Sequence, residues 1–219
     1  MARATLYARV PRIARITGVT VIHLLRHGEH AMAGRILPGR MPGVGLSERG
    51  RTDVAAVAER LAGDGVAALY SSPLQRTQET AEIVAARLGL PVALREALIE
   101  LDFGEWTGQT FDAIRADPRW EPWRLHRGIS TIPGGESMRQ VQHRVVEALM
   151  ELRRDHPDDT VVAVSHGDVI RSALLFALGM PLDSYTRLEV VQGSISTICI
   201  DRAGIRVTAV NERPHPGSG

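Results

Sequence analysis

Lysine does not occur in this chain of 219 residues, and cysteine occurs once. All 26 of its Lys+Arg positions are therefore arginine. A bias that general reads as the mark of a GC-rich coding sequence, so any arginine with a task must be argued from its own position. The lone Cys199 excludes an intrachain disulfide and a Cys-rich zinc site. It lies in the apolar run 195–200 and reads as a buried strand residue; a reducing, cytoplasmic setting fits it. No apolar run is long enough to cross a bilayer. The 26 basic and 25 acidic residues leave a net charge of +1, so no bulk field points to nucleic acid or to a membrane. No internal repeat or low-complexity segment is present.

What is there is enough apolar material, 44% of the residues, for one sizeable core and a single domain. Residues 1–18 carry Arg3, Arg9, Arg12 and Arg15 and no acid. A signal peptide is rejected, because the next apolar stretch is broken by His23 and runs straight into the candidate site. A mitochondrial presequence is the alternative; the favoured reading is a disordered extension or a misassigned start. The domain takes residues 19–210, and 211–219 read as a flexible tail.

Apolar runs alternate with helical patterns, which predicts an α/β fold with a mostly parallel sheet. Strands are expected over residues 19–25, 66–70, 91–94 (an edge), 160–164 (central), 188–190, 194–200 and 205–210. Ser47 reads as the N-cap of a helix through Leu61. Ser72 reads as the cap of the next helix, with Pro73 at its first position and Gly89 at its end. Further helices are expected near Thr110, over 137–154 and from 167 to 178. Residues 31–46 form a long Gly/Pro-rich loop, and Pro118, Pro122 and Pro133 mark a loop-rich excursion.

The run Leu24-Leu25-Arg26-His27-Gly28-Glu29 ends the first strand. In open α/β sheets ligands bind beyond the carboxyl ends of strands. A histidine there, beside an arginine and a glycine that permits close backbone approach, suits a nucleophile attacking a phosphate. Ser165-His166-Gly167 repeats this logic at the end of the central strand, where the following helix offers free N–H groups to an anion. Arg76 falls in the first turn of a helix, where its charge opposes the helix dipole; a bound phosphate resolves the conflict.

Together with Ser71-Ser72-Pro73-Leu74-Gln75-Arg76-Thr77, Glu100-Leu101-Asp102-Phe103-Gly104-Glu105-Trp106 and Pro133-Gly134-Gly135-Glu136-Ser137, these motifs are ordered and spaced as in a known family. The chain resembles the phosphoglycerate mutase-like branch of the histidine phosphatase superfamily over roughly residues 19–210. The resemblance implies a three-layer α/β/α sandwich and metal-free phosphohistidine chemistry. It makes His27 the nucleophile, Arg26, Arg76 and His166 the phosphate pocket with Gly167, and Glu100 the proton donor. Two arginines and a second, protonated histidine can neutralise a transferring phosphoryl group without magnesium. The second nitrogen of His27 needs an acceptor to fix the tautomer, and a backbone carbonyl is expected there. Glu96, Asp102 and Glu105 compete with Glu100; the motif position selects Glu100, with Glu105 as runner-up.

Among the other histidines, His23 lies about 13 Å back along the strand and cannot touch the same phosphate. His30 is a candidate pocket residue, and His143 reads as surface or structural. A metal site from His23, His27 and His30 has no support. Family members often carry an Asn a few residues after the first motif; here the run is His30-Ala31-Met32-Ala33. They often have Glu-Gly after the tryptophan; here it is Thr107-Gly108. The insert typical of glycolytic mutases is not recognisable.

The expected function is a phosphomonoesterase acting on a small phosphorylated metabolite, most similar to the α-ribazole phosphatase and fructose-2,6-bisphosphatase-like groups. No cofactor, nucleic acid or membrane partner is implied, and a homodimer stays open. The alternatives are a 2,3-bisphosphoglycerate-dependent phosphoglycerate mutase and a non-catalytic phospho-ligand-binding module. Substrate contacts are expected from residues 31–46 and 106–132.

Overall fold

The computed structural model describes residues 18–213. The strands β1 (Thr20–Arg26), β2 (Val66–Ser71), β3 (Val92–Leu94), β4 (Thr160–Ser165), β5 (Ile195–Asp201) and β6 (Gly204–Glu212) form one sheet in the order β3-β2-β4-β1-β5-β6. The first four in that order run parallel, and β5 and β6 are antiparallel to their neighbours. β1 and β4 sit at the centre, which is why both read as near-continuous apolar runs.

Alternation along these two strands feeds two cores. Leu25, Val162 and Val164 pack with Val54, Val57 and Leu61 of α1 (Glu48–Leu61) and Ala81 and Val84 of α2 (Gln75–Leu88). Ile22, Leu24, Val161 and Ala163 face the other way. They pack with Val141, Val145 and Leu149, and with Val169, Ile170 and Ala173. The short helices α3 (Phe111–Ala116) and α4 (Trp120–Leu125) precede the helices that carry this second set, α5 (Met138–Asp155) and α6 (Gly167–Ala177). The result is the expected three-layer α/β/α sandwich. Among the described residues, no helix is long and apolar enough to cross a membrane.

Helix starts follow the local grammar in three places. Ser47 accepts from the Gly50 amide, Thr110 accepts from Ala113, and Ser137 forms a capping box with Gln140.

Elsewhere the structure departs from expectation. Ser72 is not a cap: α2 begins two residues later than expected, with Leu74 at its N-cap and no side-chain cap. The excursion holds α4, with Pro122 as its third residue, where a missing N–H costs nothing because that donor has no partner within the helix. Residues 188–190 form no strand. The Leu188 and Val190 carbonyls accept from Arg171 and Arg26 instead of a sheet ladder. β6 continues to Glu212, past the expected domain end. Gly18 is tied to the domain, its carbonyl accepting from Arg153 Nη2 at 2.8 Å. The rest of the expected N-terminal extension and residues 214–219 lie outside the described residues.

Candidate active site

The sheet register builds the site. Arg26 of β1 pairs with Ser165 of β4, and Ser71 of β2 pairs with Val164. The residues just past those three strand ends are therefore neighbours: His27, His166 and Ser72. The His27 amide donates to Ser165 O at 3.0 Å, and the Ser72 amide to Val164 O at 3.0 Å. The two histidine rings stand 5.2 Å apart, centroid to centroid.

His27 Nδ1 lies 2.8 Å from the Gly28 carbonyl oxygen, the backbone acceptor that the chemistry requires. The proton is thereby fixed on Nδ1, and the Nε2 lone pair is free. Gly28 is needed for packing: a Cβ there would stand 2.7 Å from Val54 Cγ2 and 2.8 Å from Gly50 O.

Ser72 Oγ is 2.8 Å from His166 Nε2 and accepts from the Leu74 amide at 3.5 Å. A hydroxyl that donates to Nε2 puts the ring proton of neutral His166 on Nδ1. That nitrogen is buried without a partner among the described residues and lies 3.7 Å from Glu100 Oε2. The seryl hydroxyl thus meets a histidine 94 residues away, just before α2 begins.

Arg76, on the first turn of α2, is only 1% exposed, so it is no solvated surface arginine. Its Nη2 donates to Gly39 O at 2.7 Å, while Nε and Nη1 are buried without partners. Arg26 donates from Nη1 to Val190 O at 2.6 Å and keeps an unpartnered buried Nε. It passes over the start of α6, where a Cβ on Gly167 would come within 3.1 Å of Arg26 Cζ. Buried donors without acceptors are rare in folded proteins because each costs desolvation energy. Here Arg26 and Arg76 line one pocket and His166 stands beside His27, as an anion site requires.

Glu100 is 8% exposed, and its Oε1 accepts from its neighbour's amide, Leu101 N, at 2.9 Å. Burial first, then the Asp168 charge, push its carboxyl up to about 7, against the pull of Arg76 and Arg26. Burial, followed by Arg76, holds both His27 and His166 well below the ordinary imidazole value, so His166 is a neutral ring and not the protonated histidine expected. His30, buried beside the same two arginines, falls to about 4.

The pocket, about 430 Å³, is lined by Arg26, His27, His30, Arg76, Glu100 and Gly167. His166 adjoins His27 beneath it. Of the competitors to Glu100, Glu105 is exposed and paired with Arg119 at 3.1 Å, and Glu96 is exposed. Asp102 accepts from the Gly104 amide. His23 is held by Thr197 and Asp64, and His143 is exposed. Among the described residues, no three His, Cys, Asp or Glu side chains are grouped so as to hold a metal ion.

The loop 31–46 contributes Ala33 to Gly39 lining residues as expected, whereas 106–132 contributes only Phe111. Sequence reasoning missed Asp168, Arg171 and the segment 189–192, all of which line the pocket. Arg171 had a usable signal, since it lies four residues after Gly167 on the same face of a helix.

The chain belongs to the histidine phosphatase superfamily (branch 1), whose family model matches residues 22–213. It is 36% identical over 179 residues to the bifunctional protein Rv2228c of Mycobacterium tuberculosis; the match covers 81% of this chain but about half, 49%, of that longer protein. It is 31% identical to phosphoserine phosphatase 1 of Hydrogenobacter thermophilus, covering 78% of this chain and 82% of that one. A Cronobacter sakazakii protein named "Probable phosphoglycerate mutase GpmB" is 34% identical, with 81% and 83% covered. Among solved structures, a mycobacterial glucosyl-3-phosphoglycerate phosphatase superposes with a TM-score of 0.79 at 28% identity, covering 88% of this chain and 99% of that one.

Proposed function

We propose that this chain is a phosphomonoesterase that hydrolyses a small phosphorylated metabolite through a phosphohistidine on His27. The observation that carries the reading is the convergence, at one pocket, of a histidine with a free Nε2 and the unpartnered donors of Arg26 and Arg76, with His166 beside that histidine. In the first step Nε2 attacks phosphorus, and the ester P–O bond breaks. The leaving oxygen keeps the electron pair and takes the Glu100 proton. Arg26, Arg76 and His166 hold the equatorial oxygens, and the N–H groups at the start of α6, from Gly167 on, add to the positive field. In the second step water attacks the phosphoryl group and gives its proton to the Glu100 carboxylate. The N–P bond breaks, and its electron pair returns to His27 Nε2. A carboxyl that titrates near neutrality serves in both directions. The charge is supplied by fixed guanidinium groups, so turnover should survive dialysis against a chelator.

The substrate class rests on the relatives: two named above carry phosphoserine phosphatase and glucosyl-3-phosphoglycerate phosphatase as their names. The relative named as a mutase keeps a second reading open, in which the phosphoryl group returns to a bound sugar acid. A non-catalytic module is disfavoured, because the acid, nucleophile and anion donors meet in one pocket. A phosphate-release screen over phosphoserine, phosphoglycerates, sugar phosphates and nucleotides tests the reading. With 3-phosphoglycerate and a bisphosphoglycerate primer, interconversion faster than phosphate release would favour the mutase.

A further inference from the structure

His30 is the last polar side chain before the run Ala31-Met32-Ala33. It is 6% exposed and lines the pocket. A backbone bridge to Leu46 pins its main chain, so the fold sets the position of the ring. The ring centroid stands 5.6 Å from that of His27, close to the 5.2 Å that separates His27 from His166. On the side chain, Nδ1 is buried without a partner among the described residues, and Nε2 is the less buried nitrogen of this pocket-lining ring. A neutral imidazole carries one proton. His166 Nδ1 has the Glu100 carboxyl 3.7 Å away, whereas no carboxylate pairs with the buried His30 Nδ1, so here the proton belongs on Nε2. That places one more N–H donor at the pocket wall, beside the nucleophile.

We propose that His30 is a further phosphate ligand, donating from Nε2 to an oxygen of the phosphoryl group that His27 attacks. The proposal rests on the phosphatase reading above and extends it to a residue outside the five motifs.

Titration calorimetry of the full-length chain with orthophosphate, paired with steady-state hydrolysis of nitrophenyl phosphate, tests it in two variants. His30→Phe keeps a ring and loses the donor; His30→Asn loses the ring and keeps a donor. A ligand role predicts phosphate binding about tenfold weaker in His30→Phe, the ordinary loss for one hydrogen bond to a charged group. It predicts a parallel rise in KM with a smaller change in kcat, and recovery of much of the affinity in His30→Asn. A packing role predicts the reverse order, with Phe near wild type and Asn impaired. That order, or wild-type phosphate affinity in both variants, would overturn the proposal. Wild-type protein that neither binds orthophosphate nor hydrolyses the ester would overturn the phosphatase reading together with it. Wild-type activity with unaltered His30→Phe removes only the role of His30.

Discussion

Glu100 titrates near neutrality because its carboxyl is buried and faces Asp168, and the pull of Arg76 and Arg26 offsets only part of this. His27 and His166 are pushed the other way and stay neutral through the same pH range. On the proposed mechanism, the free protein therefore holds a protonated acid and an unprotonated nucleophile together below about pH 7. For alkyl phosphates, kcat/KM should be level there and fall as pH rises through that value. Nitrophenyl phosphate, whose leaving group needs no proton, should show no such fall in its first step. A Glu100→Gln variant should slow phosphorylation by alkyl phosphates roughly 10²–10⁴-fold and by nitrophenyl phosphate far less, as single-turnover kinetics would read. Equal losses would remove Glu100 from the acid role. In the proposed mechanism Arg76 acts through charge: with two guanidinium nitrogens buried and unpartnered, Arg76→Ala should cost on the order of 10²–10³ in kcat/KM with the fold intact.

The site is made by strand ends, and their placement depends on how tightly helices and loops approach them. Gly28 lets the chain after β1 lie against α1, where any Cβ would stand 2.7 Å from Val54 Cγ2 and 2.8 Å from Gly50 O. Gly28→Ala should destabilise by about 1–3 kcal/mol in denaturant titrations and lower activity, because the overpacked loop must carry His27 out of register. A variant with unchanged midpoint and turnover would show that the loop yields freely. These elements also show what could be read before the structure. β1 and β4 were legible because burial on both faces writes an unbroken apolar run ending in a polar motif. Ser47 and Ser137 were legible because capping is local. Ser72 looks the same in sequence and was misread: α2 starts beyond it, and its hydroxyl meets His166, a contact no window of sequence contains. Residues 188–190 look like a strand by composition, but arginine side chains take their carbonyls. Residues 189–192 reach the pocket through tertiary packing alone, so that wall of the site was hidden, whereas Arg171 could have been read from its helical spacing after Gly167.

Folding the whole molecule around neutral histidines makes its stability depend on pH. His27 and His166 lie well below 6.5 in the folded state, and His30 falls to about 4. On unfolding each regains a value near 6.5, so below that pH the unfolded chain binds more protons and stability is lost on acidification. Glu100, raised to about 7, works in the opposite direction, because there the folded chain holds the extra proton. Three histidines against one carboxyl leave a net loss between pH 6.5 and about 5. Chemical denaturation across that range should show it; His166→Gln should flatten the slope and Glu100→Gln should steepen it. A flat profile in wild type would contradict the burial of these rings as neutral groups. The mechanism as a whole requires that the phosphoryl group pass through His27 Nε2 on its way to water. Rapid acid-free quench of the enzyme during turnover of a ³²P-labelled phosphomonoester, followed by peptide mapping, measures this. The account predicts base-stable, acid-labile label on the peptide containing His27, appearing faster than steady-state turnover and absent from His27→Ala. Turnover that persists in His27→Ala, or label that never appears on that peptide, would contradict it.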